Sequence, residues 1–454
     1  MKELQRDNES FMGTTVEKLR GAVMKARTVR INGKVSQVLG LVVEGHCPAI
    51  SLGELCDIYP RNGLGPVKAE VVGFKEDRVL LIPLGEMSGI SPGSLIVAGS
   101  KKADIKVGDE YLGRVIDGHG DPIDNKGGIR ARVSLPIYTE PINPLKRKRI
   151  TEALDLGVRG INALLTMGKG QRMGIMAASG VGKSVLLGML ARKTSADVNV
   201  IALIGERGRE VREFIERDLG EEGLKKSVLI VATSDESPLV RLRGAFIAST
   251  MAEYFRGEGK DVLLMMDSVT RFAMAQREVG LAVGEPPTTK GYPPSVFALL
   301  PRLLERAGNS SGEGSITGLY TVLAEGDDIN DPVVDSVRSI VDGHIVLSSE
   351  LASRGHYPAI DVLRSASRVM NDVVPKEQVA AAREIKEILA TYREAEDLIN
   401  IGAYISGSSP KIDRAVNLIE SINRFLRQDV DETTSMGESV NMIKNILAKG
   451  QTDA

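Results

Sequence analysis

The feature that most constrains the fold of this chain is a glycine-rich stretch of eight residues ending in a lysine and a serine. It follows the apolar run 173–176 and opens into a stretch with helical apolar spacing. A strand, a glycine turn and a helix start are the context that a phosphate-binding loop requires. Glycines let successive backbone amides point inward, and the helix N-terminus adds partial positive charge. The predicted nucleotide-binding residues are Ala177, Ala178, Ser179, Gly180, Val181, Gly182, Lys183, Ser184 and Val185.

The last two residues of the loop carry the chemistry expected of such a site. Lys183 would reach the β- and γ-phosphates of ATP, and Ser184 would offer its hydroxyl to Mg²⁺. The loop departs from the strict pattern at its first position, where Ala177 replaces a glycine. Because alanine adds only a Cβ, we interpret the stretch as a variant loop. A glycine turn without a ligand is the alternative interpretation.

The composition limits the class of protein. A chain of 454 residues is too long for one hydrophobic core, so two or three domains are expected. The formal net charge is −2 and the pI is about 6.2, so no broad basic field indicates binding to nucleic acid. The N-terminus is too polar for a secretion signal, and no apolar run is long enough to span a membrane. The two cysteines, Cys47 and Cys56, are expected to be buried free thiols in a cytoplasmic protein.

The N-terminal part of the chain is predicted to contain two kinds of element. Residues 1–25 have sparse apolar positions at helical spacing, which predicts a helix that docks on its own protein or on a partner. Residues 26–100 contain short alternating strands, with a turn at Asn32 and Gly33, and favour a small β-barrel. The segment 113–124 is dense in turn formers and is predicted to be a connector. The clearest predicted barrel strands are 29–31, 35–39, 69–74 and 78–82.

Residues 101–372 alternate between apolar strands and helical stretches. Runs such as 262–266 are apolar throughout, as expected for parallel strands covered by helices on both faces. Strand patterns end near residue 373, and the remainder to 454 is predicted to be a helical domain. The predicted fold class is α/β. The predicted strands are 198–204, 228–232, 262–267, 317–323 and 344–347, and the predicted C-terminal helices are 376–400, 411–428 and 436–448.

Asp267 ends the apolar run 262–266. A carboxylate at the end of a buried parallel strand lies on the side of the sheet where the phosphate-binding loop is expected, and it can hold a water on Mg²⁺. Capping of the next helix through Ser268 is the alternative interpretation.

Glu206 follows the predicted strand that ends at Ile204. A hydrolytic site needs one group that orients or deprotonates the attacking water, and a carboxylate at this strand end can do so. A solvated ion pair between Glu206 and Arg207 would give the same spacing and is the alternative interpretation.

Five motifs, taken together, carry a family signature: 177–184, 205–210, 262–267, 293–308 and 357–361. In this order they closely resemble the type III protein-export ATPases, relatives of the catalytic subunits of rotary ATP synthases. The resemblance implies a RecA-like P-loop NTPase core, an N-terminal small β-barrel and a C-terminal helical domain. The amino-acid sequence around the P-loop is more similar to the flagellar branch than to the virulence-injectisome branch.

The resemblance implies roles for further side chains. Glu206 matches the catalytic carboxylate, which is a neutral amide in rotary subunits that bind nucleotide without hydrolysing it. Tyr357 matches the aromatic residue that packs on adenine, and Arg368 matches the arginine finger that reaches into the neighbouring subunit's site. Arg207 and Arg271 match arginines near the phosphates. The residues alone also allow a turn-packing tyrosine, a surface charge at 368 and structural ion pairs for the other two arginines.

The resemblance also implies a set of partners. The family forms homohexamers, whose central pore holds a stalk protein facing the loop 280–294. The N-terminal helix would bind a regulatory, stator-like protein, and the C-terminal domain would bind export substrates or their chaperones. Delivery to a membrane-embedded export gate would place the protein peripherally at the inner membrane. The loop 307–318 is expected to be a flexible surface loop.

Four other functions compete with this prediction. A virulence-injectisome ATPase and a rotary ATP synthase subunit share the same motifs. A nucleic-acid translocase ring needs a basic, aromatic-bearing surface on its N-terminal barrel, whereas aromatic residues make up only 4% of this chain. A noncatalytic assembly subunit is disfavoured by the glutamate at position 206.

Overall fold

The computed structural model of the protein describes residues 31–63, 65–324 and 331–452. The chain divides into two units, the first ending at Lys102 and the second beginning at Ala103. The predicted partner-binding helix in 1–25 and two residues of the predicted strand 29–31 lie outside the described residues. Among the helices of these described ranges, none is both long and apolar enough to cross a membrane.

The first unit is a closed barrel, as predicted. Its six antiparallel strands are hydrogen-bonded in the order β1-β2-β5-β4-β3-β6. Alternate residues point inward, and the core includes the fully buried Val43, Ile58, Leu81 and Ile96. Both cysteines are buried in this core without a disulfide, as expected. The strands are β1 Asn32–Leu39, β2 Val42–His46, β3 Glu54–Tyr59, β4 Val67–Lys75, β5 Arg78–Pro83 and β6 Leu95–Lys102.

The predicted turn at Asn32 and Gly33 is wrong, because both residues lie in strand β1. A Cβ at Gly33 would lie 2.1 Å from the carbonyl oxygen of His46 on the neighbouring strand. The glycine therefore permits a close cross-strand approach of two backbones and does not make a reverse turn.

The second unit contains a nine-stranded sheet whose main path is β19-β18-β12-β17-β15-β13-β14-β8, with β16 paired to β17. The seven strands from β18 to β8 are parallel. Every residue of β13 is buried, which explains its continuous apolar run. The predicted α/β class is confirmed. The sheet strands are β8 Arg114–Asp117, β12 Arg172–Ala177, β13 Val198–Ile204, β14 Ser227–Ala232, β15 Asp261–Asp267, β16 Gly308–Asn309, β17 Ser315–Leu323, β18 Gly343–Leu347 and β19 Ala366–Ser367.

Two short antiparallel pairs complete the described strands of this unit. β7 Asp104–Val107 pairs with β9 Val133–Pro136, and β10 Ala153–Leu154 pairs with β11 Met167–Gly168.

Two predicted loops contain strands. The connector 113–124 includes β8, an edge strand that pairs in parallel with β14. Asp124 folds back onto Arg114 and accepts hydrogen bonds from Nε at 2.6 Å and Nη2 at 2.9 Å. The predicted flexible loop 307–318 is largely a hairpin, since β16 pairs with the start of β17. Turn-forming residues dominate both segments. β8 is ordered by pairing with the distant strand β14, whereas β16 is ordered by the hairpin that it forms with β17.

Helices cover the sheet and form the C-terminal part of the second unit. The last three helices share one hydrophobic cluster with α1, to which they contribute Leu418, Ile422 and Ile443. The predicted C-terminal helices are confirmed. The helices are α1 Arg159–Leu164, α2 Lys183–Lys193, α3 Gly208–Glu213, α4 Gly220–Lys225, α5 Pro238–Gly257, α6 Val269–Ala282, α7 Pro294–Leu304, α8 Pro332–Ile340, α9 Ser349–Ser353, α10 Met370–Val373, α11 Lys376–Asn400, α12 Pro410–Leu426 and α13 Met436–Thr452.

One buried arginine connects several elements of the second unit. The Arg306 side chain is 1% exposed and pairs with Glu253 of α5, with Nε to Oε1 at 2.8 Å and Nη2 to Oε2 at 2.6 Å. It also donates to the carbonyl of Ile137 at 2.7 Å and to the hydroxyl of Thr250 at 2.9 Å. Each nitrogen of the guanidinium therefore donates a hydrogen bond, and its charge is compensated by one carboxylate.

We predict that Glu253→Ala lowers the stability of this unit by about 3–5 kcal/mol, because it leaves a buried charge without its partner. Thermal unfolding of the purified protein should show a lower apparent Tm. Glu258→Ala, an exposed position at the end of the same helix, is the control and should leave the Tm nearly unchanged. Equal Tm values for the two variants would contradict the prediction.

Candidate active site

The predicted phosphate-binding loop connects β12, which ends at Ala177, to α2, which begins at Lys183. Backbone φ is 82° at Gly180 and 86° at Gly182, a conformation that residues with a Cβ rarely adopt. No described atom lies within 4 Å of the position that a Cβ would occupy at Gly180. The loop tip is thus open, and its glycines are required by the path of the backbone.

Helix α2 begins without a side-chain cap. Gly182 is the N-cap residue and accepts no hydrogen bond through a side chain. The first amides of an α-helix have no intrahelical partners, and the helix dipole makes this end partly positive. Open amides next to a glycine loop suit the phosphate groups of a nucleotide.

The ammonium group of Lys183 lies between two carboxylates. It forms an ion pair with Asp267, and its Nζ is 3.8 Å from Oε1 of Glu206. The three residues come from different parts of the sheet: the helix after β12, the end of β15, and the turn after β13. They meet because the carboxyl ends of parallel strands share one edge of the sheet.

Asp267 is held by a residue that the sequence analysis did not identify. Strand β17 lies between β12 and β15, and its Thr321 donates a hydrogen bond from Oγ1 to Oδ1 of Asp267 at 2.7 Å. Both side chains are buried. A threonine inside an apolar strand gives no signal in the sequence, because β-branched residues are common there.

Glu206 is a partly buried acid whose pKa is shifted from its ordinary value. Burial and, next, the charge of Asp267 raise the pKa of Glu206 to about 7, while Lys183 acts in the opposite direction. Hydrogen bonding and charge from Glu210 on α3 raise it further. A carboxyl group with a pKa near neutral is suited to accept a proton.

The oxygen atoms of the side chains at this end of the sheet are compatible with Mg²⁺ that is bound mainly by phosphate oxygens and water. Ser184 and Asp267 offer a hydroxyl and a carboxylate, which are oxygen ligands of the kind that Mg²⁺ prefers. Within the described ranges, no group of three or more His, Cys, Asp or Glu side chains could hold a metal.

Tyr357 lies next to the phosphate-binding loop. A Cβ placed on Gly182 would be 3.5 Å from Cε1 of this ring, and the residue is 48% exposed. Its carbonyl accepts a hydrogen bond from the amide of Gln428 at 3.0 Å. A half-exposed ring beside the loop can pack on a flat ligand group.

Arg368 lies at the amino ends of the parallel strands, whereas the P-loop of its own chain lies at their carboxyl ends. It follows β19, which pairs with the first residues of β18, and its amide donates to the carbonyl of Asp342 at 3.0 Å. Asp342 in turn binds Arg172, the first residue of β12, whereas the loop leaves β12 at Ala177. The structure therefore does not bring the exposed Arg368 to the P-loop of its own chain.

The other two arginines differ from each other. Arg207 is exposed and pairs with Glu210 at 3.1 Å, which is the structural alternative left open by the sequence. Arg271 packs against Gly205, where a Cβ would lie 2.7 Å from the Cβ of Arg271. Its Nε is buried and has no hydrogen-bond partner among the described residues. Arg271 therefore packs against the residue that precedes Glu206 in the sequence.

Sequence profiles of known families match three successive parts of the chain. The beta-barrel domain of the ATP synthase alpha/beta family matches residues 35–98, and the nucleotide-binding domain of the same family matches residues 157–367. The T3SS EscN ATPase C-terminal domain matches residues 374–445.

Curated relatives match nearly the whole chain. The flagellum-specific ATP synthase of Bacillus subtilis (strain 168) is 54% identical over 417 residues, which are 91% of this chain and 94% of the relative. The type 3 secretion system ATPase of Xanthomonas euvesicatoria is 49% identical over 414 residues, 91% of this chain and 93% of the relative.

A solved structure has the same fold. The assembled ATPase EscN from the enteropathogenic E. coli type III secretion system superposes with a TM-score of 0.87 at 47% identity, covering 91% of this chain and 100% of that chain. EscN has also been solved in complex with its central stalk EscO, with a TM-score of 0.85 to this chain at 46% identity, over 91% of this chain and 100% of that one. The chain belongs to the ATP synthase alpha/beta family and, within it, to the flagellum-specific ATP synthases and type III secretion system ATPases.

Proposed function

We propose that the chain hydrolyses ATP as a subunit of a homohexameric ring and energises protein export through a flagellar-type type III secretion apparatus. The observation that carries the proposal is the position of the Lys183 ammonium between Asp267 and Glu206, beside an uncapped helix start. This arrangement combines a phosphate-binding cation, a metal-shell carboxylate and a carboxyl group that can accept a proton. Relatives named flagellum-specific ATP synthase and type 3 secretion system ATPase, each matched over 91% of this chain, support the coupling to export.

In the proposed reaction, the residues 177–185 bind the phosphates of ATP, and the ring of Tyr357 packs on the adenine. Ser184 and, through a water, Asp267 would hold Mg²⁺, which neutralises charge on the β- and γ-phosphates. The oxygen of a water forms a bond to the γ-phosphorus while the bond from this phosphorus to the bridging oxygen breaks, and ADP leaves with the electron pair. Glu206 accepts the proton that the water loses.

Arg368 acts in the site of the neighbouring subunit. Its position at the amino ends of the parallel strands, away from its own P-loop, supports action in trans. Lys183 of one subunit and Arg368 of the next would together stabilise charge on the transferring phosphoryl group. A ring closes when such head-to-tail contacts repeat around an axis.

The remaining partners follow from the relatives and from the family resemblance. The EscN complex supports a central stalk protein in the pore of the ring. A regulatory, stator-like protein binds the N-terminal segment, and export substrates with their chaperones bind the C-terminal helical domain. The ring works in the cytoplasm, peripherally associated with the inner membrane at the export gate.

A virulence-type secretion apparatus is the second candidate, because the Xanthomonas type 3 secretion system ATPase is 49% identical to this chain. The amino-acid sequence of the P-loop region favours the flagellar branch. Co-purification from cells distinguishes the two, since flagellar and injectisome components differ. A rotary ATP synthase would instead co-purify with ion-pump subunits.

We predict that Glu206→Gln keeps ATP binding and lowers kcat by at least about 100-fold, because an amide cannot accept the proton of the attacking water. Phosphate release measures turnover, and equilibrium binding of ATP measures affinity. Glu213→Gln is the control. This residue is exposed at the end of α3, and the variant should retain turnover. Normal turnover in the Glu206 variant would exclude this residue as the catalytic carboxylate.

The raised pKa of Glu206 predicts an acidic limb in the pH profile. The group must be deprotonated to act, so kcat/KM should rise with pH through about 7, where the free enzyme titrates. Because Glu210 raises this pKa, Glu210→Gln should move the limb to lower pH. Glu213→Gln should leave it in place, and the comparison between variants cancels the ionisation of ATP itself. A limb that stays fixed or moves upward in Glu210→Gln would refute the assignment.

We predict that Arg368→Ala binds ATP but loses most turnover, and that it complements Lys183→Ala in mixed rings. Each variant alone should have little turnover, but a site with an intact Lys183 next to an intact Arg368 forms in about a quarter of random interfaces. Arg424→Ala, at an exposed pair on α12, is the control and should keep full activity. Full turnover of Arg368→Ala at ring-forming concentrations would refute its role as a finger.

A further inference from the structure

Two consecutive carbonyl groups hold Arg368. The carbonyl of Asp342 accepts a hydrogen bond from the amide of Arg368 at 3.0 Å, and the carbonyl of Val341 accepts one from its Nη1 at 3.3 Å. Residues 341 and 342 form the short connection between α8 and β18. The backbone and the side chain of Arg368 are therefore both placed by this connection.

The connection itself is fixed by the first residue of the P-loop strand. The carboxylate of Asp342 accepts hydrogen bonds from Arg172 at three atoms: the amide N at 3.0 Å, Nε at 3.1 Å and Nη2 at 3.1 Å. The amide of Asp342 donates back to the carbonyl of Arg172 at 2.8 Å. A two-pronged guanidinium–carboxylate contact has a defined geometry, and these side chains are only 15% and 26% exposed.

Gln171 adds a second connection at the same place. Its buried side chain donates from Nε2 to the carbonyl of Asp342 at 3.2 Å and to the hydroxyl of Ser367 at 3.1 Å. Gln171 and Arg172 lead directly into β12, and β12 carries the phosphate-binding loop at its other end. The segment that ends in Arg368 is therefore bonded to the amino end of the P-loop strand.

We propose that the Arg172–Asp342 pair positions Arg368, so that the strand carrying one subunit's P-loop also sets the arginine offered to the next subunit. The inference rests on the proposed action of Arg368 in trans. Arg172 and Asp342 are positioning residues: they act through the 341–342 connection and contact neither nucleotide nor metal. Their effect belongs to the subunit that donates the arginine and not to the subunit that binds the nucleotide.

Mixed rings separate these two subunits. Lys183→Ala supplies only a working Arg368, and Arg368→Ala supplies only a working P-loop. Asp342→Asn is introduced into one parent or the other, and the ATPase activity of each mixture is compared with that of the unmodified pair. Ring assembly of every mixture is checked by sedimentation.

The expected result is asymmetric. Asp342→Asn in the Lys183→Ala parent should lower the complemented activity about tenfold or more, because the arginine is no longer held in position. The same substitution in the Arg368→Ala parent should change the activity less than about twofold, since that parent offers no finger. A merely structural role would lower both mixtures alike.

The matched control is the Arg114–Asp124 pair. It is also a two-pronged arginine–aspartate contact in the same sheet, but it lies on the far edge strand β8. Asp124→Asn should have the same small effect in either parent. Arg172→Lys is a second variant that keeps the charge but loses the two-pronged geometry, and it should show the same asymmetry as Asp342→Asn.

Two results would overturn the inference: equal loss in both placements, or no loss when Asp342→Asn is in the finger donor. Failure of the unmodified parents to complement is a different result. It would overturn the trans role of Arg368 itself, and the inference with it.

Discussion

The ion pairing of one lysine with two carboxylates determines the chemistry of this protein. Lys183, Asp267 and Glu206 come from three segments that are far apart in sequence, and only a parallel sheet brings their strand ends to one edge. Before nucleotide arrives, the ammonium compensates part of the negative charge that the two acids bring together. Phosphate groups that attract the lysine would therefore also change the charge around Glu206, so phosphate binding and the proton affinity of the proposed base are electrostatically connected.

The amino ends of the parallel strands carry a second group of residues, to which we assign a role in the proposed ring. β12 spans about 20 Å at the usual rise per residue, with the nucleotide loop at one end and the Arg172–Asp342 contact at the other. A strand buried in the middle of a parallel sheet is rigid because hydrogen bonds hold it on both sides, here to β17 and β18. If Arg368 acts in trans as proposed, one strand serves two sites in neighbouring subunits without any flexible connection.

Local patterns in the sequence predicted the elements whose signal is contained in a short stretch. The P-loop, the strand that ends in Asp267 and the C-terminal helices are of this kind, and the structure has each of them. Thr321 and Asp342 were not found, because their partners are distant in sequence and the residues look ordinary in their own strands or turns. Gly33 was misassigned since the same residue serves turns and close backbone contacts. The place of Arg368 at the far edge could not be inferred from spacing, because a short antiparallel pairing with β18 sets it.

The uncapped start of α2 also affects how strongly a bound ligand stabilises the folded protein. A helix end with unsatisfied amides is a local weakness of the free fold, and a bound phosphate removes it. Ligand that binds only the folded state stabilises it, by about 1.4 kcal/mol for each tenfold rise in free nucleotide above its Kd. The free energy of unfolding of this subunit should therefore rise with the concentration of free ATP or ADP, because both nucleotides carry phosphate groups that can bind this helix start.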